Sequence, residues 1–229
     1  MWLRAFYAMA VGCTCTLIVV RQRTLARESH IMDMLAATTA ILDARGIVYI
    51  ADSGTLLGAV RDGRAIPGDS DGDLIIIGNE TVFARAAAVL ARDLPQFHLQ
   101  LEVWDKDTGA VDSTYTLPLA PRAAWNNNLE VCARGTSVIP PECHNPDIDI
   151  YPATIENGWF RRVDCGKVCP PCCAVPAAAI WPIEHTIMSA HGRIFEIAIP
   201  ADPLALLNQY YDTLTLDRIA IARGLYIDI

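Results

Sequence analysis

The chain has 229 residues, 52% of them hydrophobic, and a formal net charge of -8. That length and apolar share suit one domain with a sizeable core and room for a small appendage. The acidic balance argues against a non-specific nucleic-acid binder, which needs a basic surface to displace counterions, but leaves open a single nucleotide held through metal ions.

Ala5 to Val20 carries no charge, with Arg4 before it and Arg21, Arg23 and Arg27 after it. As a helix this run would be roughly 24 Å long, at about 1.5 Å per residue, short of the usual span of ~20 residues. We expect a signal-anchor. A cleaved signal peptide lacks a clear small-x-small site ahead of the basic cluster, and a buried or interfacial helix is the third reading. Basic residues on both sides leave the orientation open. The chain therefore divides into an apolar segment with its basic flank, 1–28, and a domain, 29–229.

Ser29 to Ala44 has helical apolar spacing, with Ser29 as N-cap and Gly46 as the stop. Ile47 to Ala51 is a β-rich run and predicts a buried strand. Gly54 to Val60 predicts a short helix, Asp71 to Ile77 a strand ended by Gly78-Asn79, and Thr81 to Asp93 an amphipathic helix stopped by Pro95. Phe97 to Trp104 alternates as a strand does. Residues 105–143, rich in Pro, Gly and Asn, predict loops with one or two short strands. Ile148 to Tyr151 and Trp159 to Val163 predict strands, and Cys165 to Pro182 an irregular Cys/Pro-rich loop. Arg193 to Ile199 predicts a strand. Asp202 to Tyr211 predicts a helix with Asp202 as N-cap and Pro203 at its first position. The order is α/β or α+β, with strands too few and too unevenly spaced for a doubly wound dinucleotide-binding sheet.

Asp52 to Ile77 concentrates the chemistry. A small-residue turn, Ser53-Gly54-Thr55, opens a short helix and can seat a phosphate on free backbone N–H groups. Asp71 and Asp73 stand two apart on a strand, so they share a face about 7 Å apart along it. They suit a hard cation such as Mg²⁺.

GTLLGAVRDGRAIPGDSDGDL resembles the signature of the LicD/fukutin family, whose members usually read GTLLG-x-x-R…IPWDDDxD. Asp149-Ile150-Tyr151-Pro152 is similar to that family's later D-[IV]-[FY]-P element. The tail HGRIFEIAIPADPLALLNQYY is similar to its closing G…f-x-I-P…yL…Y pattern, so the resemblance runs from about Ser29 to about Tyr211. The chain departs from the pattern at Gly68, where the family usually has Trp, at Ser70, where it usually has Asp, and at Gly72, where it usually has an apolar residue.

The resemblance implies an α+β fold of nucleotidyltransferase type: a small mixed β-sheet flanked by helices. It implies transfer of a phosphorylated alcohol, such as phosphocholine or ribitol phosphate, from a CDP-activated donor to a hydroxyl of a glycan or glycoconjugate. Eukaryotic members, fukutin-related proteins among them, work in the Golgi behind an N-terminal anchor. We therefore expect a membrane-associated chain of the Golgi or ER lumen, a soluble or secreted form being the alternative. On this reading Asp71, Asp73 and Asp149 hold Mg²⁺ or Mn²⁺. Asp149 either bridges the metals or accepts the acceptor's proton, with Asp147 as the fallback. Asp69 supports the pair or forms the turn. Gly54 and Thr55 seat a donor phosphate. Arg61 clamps a phosphate or forms an ion pair with one of the Asp residues.

Of the eight Cys, six lie between Cys132 and Cys173. Cys165, Cys169, Cys172 and Cys173 are spaced for a structural zinc loop, joined by Cys143 or Cys132, and disulfides are the alternative. His144, His185 and His191 lack metalloprotease spacing and read as structural or surface residues. Two other functions compete with phosphotransfer: nucleotidyl transfer to a small hydroxylated substrate, and an inactive, membrane-tethered glycan-binding relative.

Overall fold

The computed structural model describes residue 25 and residues 28–69, 71–94, 97–104, 111–115, 128–133, 147–163 and 174–211; for 97–104, 111–115, 128–133 and 147 it describes the backbone alone. The expected anchor, Cys143 and the Cys165–Cys173 loop, Ser70 and His144 lie outside the described residues. Among those described, no helix is long and apolar enough to cross a membrane.

Helix α1 covers 28–44 and buries Ile31, Met32, Met34, Leu35 and Leu42. The helix already includes residue 28, so Ser29 lies inside it and is not its N-cap. Gly46, at φ +59°, ends it as expected. The amide of Ile47 returns to the carbonyl of Leu42 at 2.9 Å, the six-to-one bond that closes a helix on a left-handed glycine.

Strand β1 (Tyr49–Ala51) runs antiparallel to β2 (Asp71–Ile77), and helix α2 (Ser53–Arg61) joins them. Helix α3 (Glu80–Asp93) follows, capped by Asn79, whose side chain accepts from the amides of Thr81 and Val82. Strands β3 (Phe97–Trp104), β4 (Val111–Tyr115) and β5 (Asn128–Ala133) come next, the last two from the stretch expected to hold one or two short strands. Strand β6 (Asp147–Glu156) outruns its predicted length because Asn157 and Gly158, both at positive φ, turn it into β7 (Trp159–Arg162). Strand β8 (Ala174–Pro176) pairs with β7 and leads into a single turn, α4 (Ala177–Ile180).

The main sheet runs β1-β2-β6-β5-β3-β4, with β7 and β8 continuing from β6. It is mixed: β2 and β6 are parallel, and their neighbours are antiparallel. Apart from Asp71 at its start, β2 is buried throughout, because covering both faces of a central strand demands an apolar run such as Leu74-Ile75-Ile76-Ile77. Helices and a mixed sheet in this arrangement make the fold α+β, as expected.

A separate hairpin, β9 (Glu184–Ala190) and β10 (Arg193–Ile199), turns at His191-Gly192. His185 is exposed on β9, and His191 reaches the buried Glu28 of α1, Nε2 to Oε2 3.2 Å, so neither faces the carboxylates of β2. Helix α5 (Pro203–Leu207) starts as expected, with the Asp202 side chain accepting from the Ala205 amide. It ends sooner than expected, and the following turn carries Tyr210 and Tyr211 toward α2.

Candidate active site

Three carboxylates meet where β2 and β6 run side by side. Register places Asp73 directly beside Asp149, and Asp71 beside Asp147, whose side chain is outside the described set. Side chains alternate along a strand, and parallel partners share a face. Asp71, Asp73 and Asp149 therefore point the same way, each offering an oxygen within 4.8 Å of the others.

Asp73 is the buried member of this group. Burial pushes its carboxyl well above the ordinary carboxylate range, and the negative charges of Asp52, Asp71, Asp149 and Asp69 push it further. Carboxylates crowded this way carry a repulsion that a divalent cation relieves, and an all-oxygen set suits Mg²⁺ or Mn²⁺. The residues present thus fit such an ion.

Beside the carboxylates lies an open cleft of about 560 Å³. Ser53, Gly54, Asp69, Asp71 and Asp73 form its polar end; Leu57, Ile66, Pro67 and Tyr211 supply the apolar wall. A Cβ on Gly54 would stand 2.6 Å from Asp69 Oδ2, so that carboxylate would have to shift to admit one. Thr55 is buried, and its hydroxyl accepts from the Asp73 backbone amide at 2.8 Å, tying the start of α2 to the carboxylate-bearing end of β2. Arg61, expected to clamp a phosphate or to form an ion pair with an Asp, holds the carboxylate of its neighbour Asp62 in a two-bond fork of 2.9 and 2.6 Å.

Residues 46–116 match the family model described as LicD/FKTN/FKRP, nucleotidyltransferase domain. Over this stretch the chain is similar to the LicD family. Among curated proteins none matches it. The matched residues include Gly54, Arg61, Asp71 and Asp73, while Asp149 lies beyond them and joins the site through β6. The match supports a transferase, with a phosphotransferase-like role on glycans in general.

The structure accounts for two of the chain's departures from the LicD pattern. Gly68 adopts φ +91°, a conformation L side chains rarely take, so this loop conformation suits Gly and would strain a Trp in its place. Gly72 is closely packed: a Cβ there would lie 2.6 Å from Ile148 Cδ1 and 3.2 Å from Leu35 Cδ2. Neighbouring side chains fill the space that the usual apolar residue would take.

Four residues at this site went unassigned in the sequence. Asp52 is completely buried behind Asp73, and its amide donates to the Asp73 carbonyl. Arg162 pairs with Asp52, and Tyr210 reaches the same carboxylate. Tyr211 lines the cleft. Burial first, then the charges of Asp73 and Asp69, push its hydroxyl up to about 12. The Tyr-Tyr pair ends the closing family pattern, which was the available signal. Asp52, placed just ahead of the Gly-turn, offered only proximity, and Arg162 offered none.

Proposed function

We propose that this chain transfers a phosphorylated alcohol from a CDP-activated donor to a hydroxyl of a glycan or glycoconjugate. The supporting observation is the set of three carboxylates, Asp71, Asp73 and Asp149, beside a cleft with one polar end and one apolar, aromatic wall. A volume of about 560 Å³ falls within the range of small-molecule sites.

In this reading Asp71, Asp73 and Asp149 hold Mg²⁺ or Mn²⁺, which when bound neutralises charge on the donor diphosphate. The amide-rich start of α2 at Ser53 and Gly54 seats a donor phosphate, because the first N–H groups of a helix lack partners within it. Thr55 keeps Asp73 in place, and Arg61 exchanges Asp62 for a phosphate when it clamps the donor. The acceptor hydroxyl attacks the outer phosphorus in line, its oxygen bonds to phosphorus, and the bond to the CMP oxygen breaks. Asp149 takes the hydroxyl proton. Orientation and fixed charge do most of the work. We also assign the 1–28 segment to membrane attachment in the secretory pathway, and the Cys143–Cys173 group to a structural zinc site.

The test is a screen of CDP-choline, CDP-ribitol and CDP-glycerol with Mg²⁺ and Mn²⁺, with Asp73→Asn as the control. CMP release that needs the metal and disappears in the variant is the expected result. Pyrophosphate release from a nucleoside triphosphate would replace this reading with nucleotidyl transfer. Turnover of neither, with no cation bound, would leave a glycan-binding relative without catalysis.

A further inference from the structure

The contacts behind the carboxylates form a continuous chain. The Arg162 guanidinium, from β7, is almost fully buried, with Nη1 2.7 Å from Oδ2 of the fully buried Asp52. Its Cζ lies 3.7 Å from the centre of the Tyr151 ring. The Tyr151 hydroxyl in turn donates to Asp149 Oδ2 at 3.2 Å. Tyr210, from the tail, closes the other side: its hydroxyl accepts from Arg162 Nη1 and donates to Asp52 Oδ2, both at 3.4 Å. The Ser53 hydroxyl also donates to Asp52 Oδ2 at 3.4 Å.

These contacts use separate properties of one side chain. The positive charge partly offsets that of Asp52, which contributes to the negative field on Asp73. The flat guanidinium face lies on the Tyr151 ring, which a Lys ammonium on its flexible stem reproduces poorly. Alternation along β6 places Asp149 and Tyr151 on one face, and the β6–β7 register sets Arg162 opposite Ala153, on that same face. The network therefore enters the site from behind and ends on one of the three ligand carboxylates.

We propose that Arg162 is a positioning residue: held by Asp52 and Tyr210, it fixes the Tyr151 ring so that the Tyr151 hydroxyl orients Asp149 for the cation. This rests on the assignment of Asp71, Asp73 and Asp149 to metal. Partners that orient a metal ligand typically change affinity by about 10- to 100-fold when removed, whereas a purely architectural ion pair changes stability alone.

Mn²⁺ binding to the metal-free protein, measured by electron paramagnetic resonance beside thermal melts, separates the two. Tyr151→Phe keeps the ring under Arg162 and the Arg162–Asp52 pair, removing only the hydroxyl. Arg162→Lys keeps the charge and removes the flat face. Both are expected to weaken Mn²⁺ binding about tenfold or more, with the metal-free melting temperature of Tyr151→Phe close to wild type. Unchanged affinity in both variants would overturn the positioning role while leaving the metal site standing. Loss in Arg162→Lys with wild-type affinity in Tyr151→Phe would overturn the route through Tyr151. Wild-type protein that binds no Mn²⁺ would remove the metal assignment and this inference together. Should Arg162→Lys fail to fold, Tyr151→Phe decides the matter, since it leaves the buried pair intact.

Discussion

Glycines fix the site at the residue scale, each for a distinct steric reason. A Cβ on Gly58, in the middle of α2, would meet the Arg64 carbonyl oxygen at 2.5 Å. The same region accepts two returning amides, from Asp62 at 2.9 Å and Arg64 at 3.4 Å on the Gly58 carbonyl. The chain thus folds back across its own helix and reaches Ile66 and Pro67, which line the cleft. In an open helix, Ala in place of Gly would gain roughly 1 kcal/mol. Here the obstructing atom is backbone and cannot rotate away. Gly58→Ala is therefore expected to destabilise by about 1–3 kcal/mol, the usual range for overpacking, read as a lower urea midpoint at unchanged slope. Gly72→Ala meets the far ends of Ile148 and Leu35 instead, which can turn aside, so it should cost less than Gly58→Ala in the same measurement. An order reversed between the two would show that the 62–66 loop yields more easily than the α1–β6 contact.

At the scale of the element, legibility followed how much of the burial a segment's own sequence displays. Strands β2, β3 and β10 have the predicted bounds because each is an apolar or alternating run between breakers. Strand β9 was not predicted, since only Met188 of its seven residues is buried and, among the described residues, it pairs with β10 alone. The left-handed pair His191-Gly192 and the Asn157-Gly158 turn were the signals left unused. Helix α5 stops before the predicted end because Tyr210 and Tyr211 face Asp52 and the cleft, a tertiary demand that periodicity does not encode. Helix α3 shows the opposite case, in which local chemistry suffices. Asn79 satisfies two amides that the helix itself cannot, both at 3.1 Å. Asn79→Ala should cost about 1 kcal/mol of stability, measured by urea unfolding, and should leave Mn²⁺ affinity at its wild-type value because the cap contacts no part of the carboxylate group. A change in metal affinity would mean that α3 transmits strain to β2.

Across the whole molecule, the site is assembled from distant chain positions, which explains why only part of it was readable. The Asp71-Asp73 pair and the Gly54 turn sit within one short signature, whereas Asp52 meets Arg162 across 110 residues and Tyr210 across 158. What that assembly creates is a local excess of negative charge in a chain already at -8. The Asp73 carboxyl is raised by burial first, then by Asp52, Asp71, Asp149 and Asp69. In the unfolded chain an Asp carboxyl titrates near its ordinary value of about 3.9. Between that value and the raised native one, the folded state binds more protons than the unfolded state. Stability from this group is therefore present at low pH and lost as pH rises through the native pKa, the reverse of a salt-bridged carboxylate. A cation that binds only the folded protein reverses the loss, by about 2.7 kcal/mol at a hundred times its dissociation constant. Because binding requires ionised ligands, that gain grows with pH. In chelator, wild type is expected to lose melting temperature relative to Asp73→Asn as pH rises from about 5 to about 7.5. Saturating Mg²⁺ should then raise the wild-type midpoint by roughly 5–10 °C at the upper pH, at about 2–4 °C per kcal/mol for a chain of this size. The rise should be smaller at the lower pH and absent in Asp73→Asn. A Mg²⁺ increment of equal size in both proteins would place the cation elsewhere on the acidic surface.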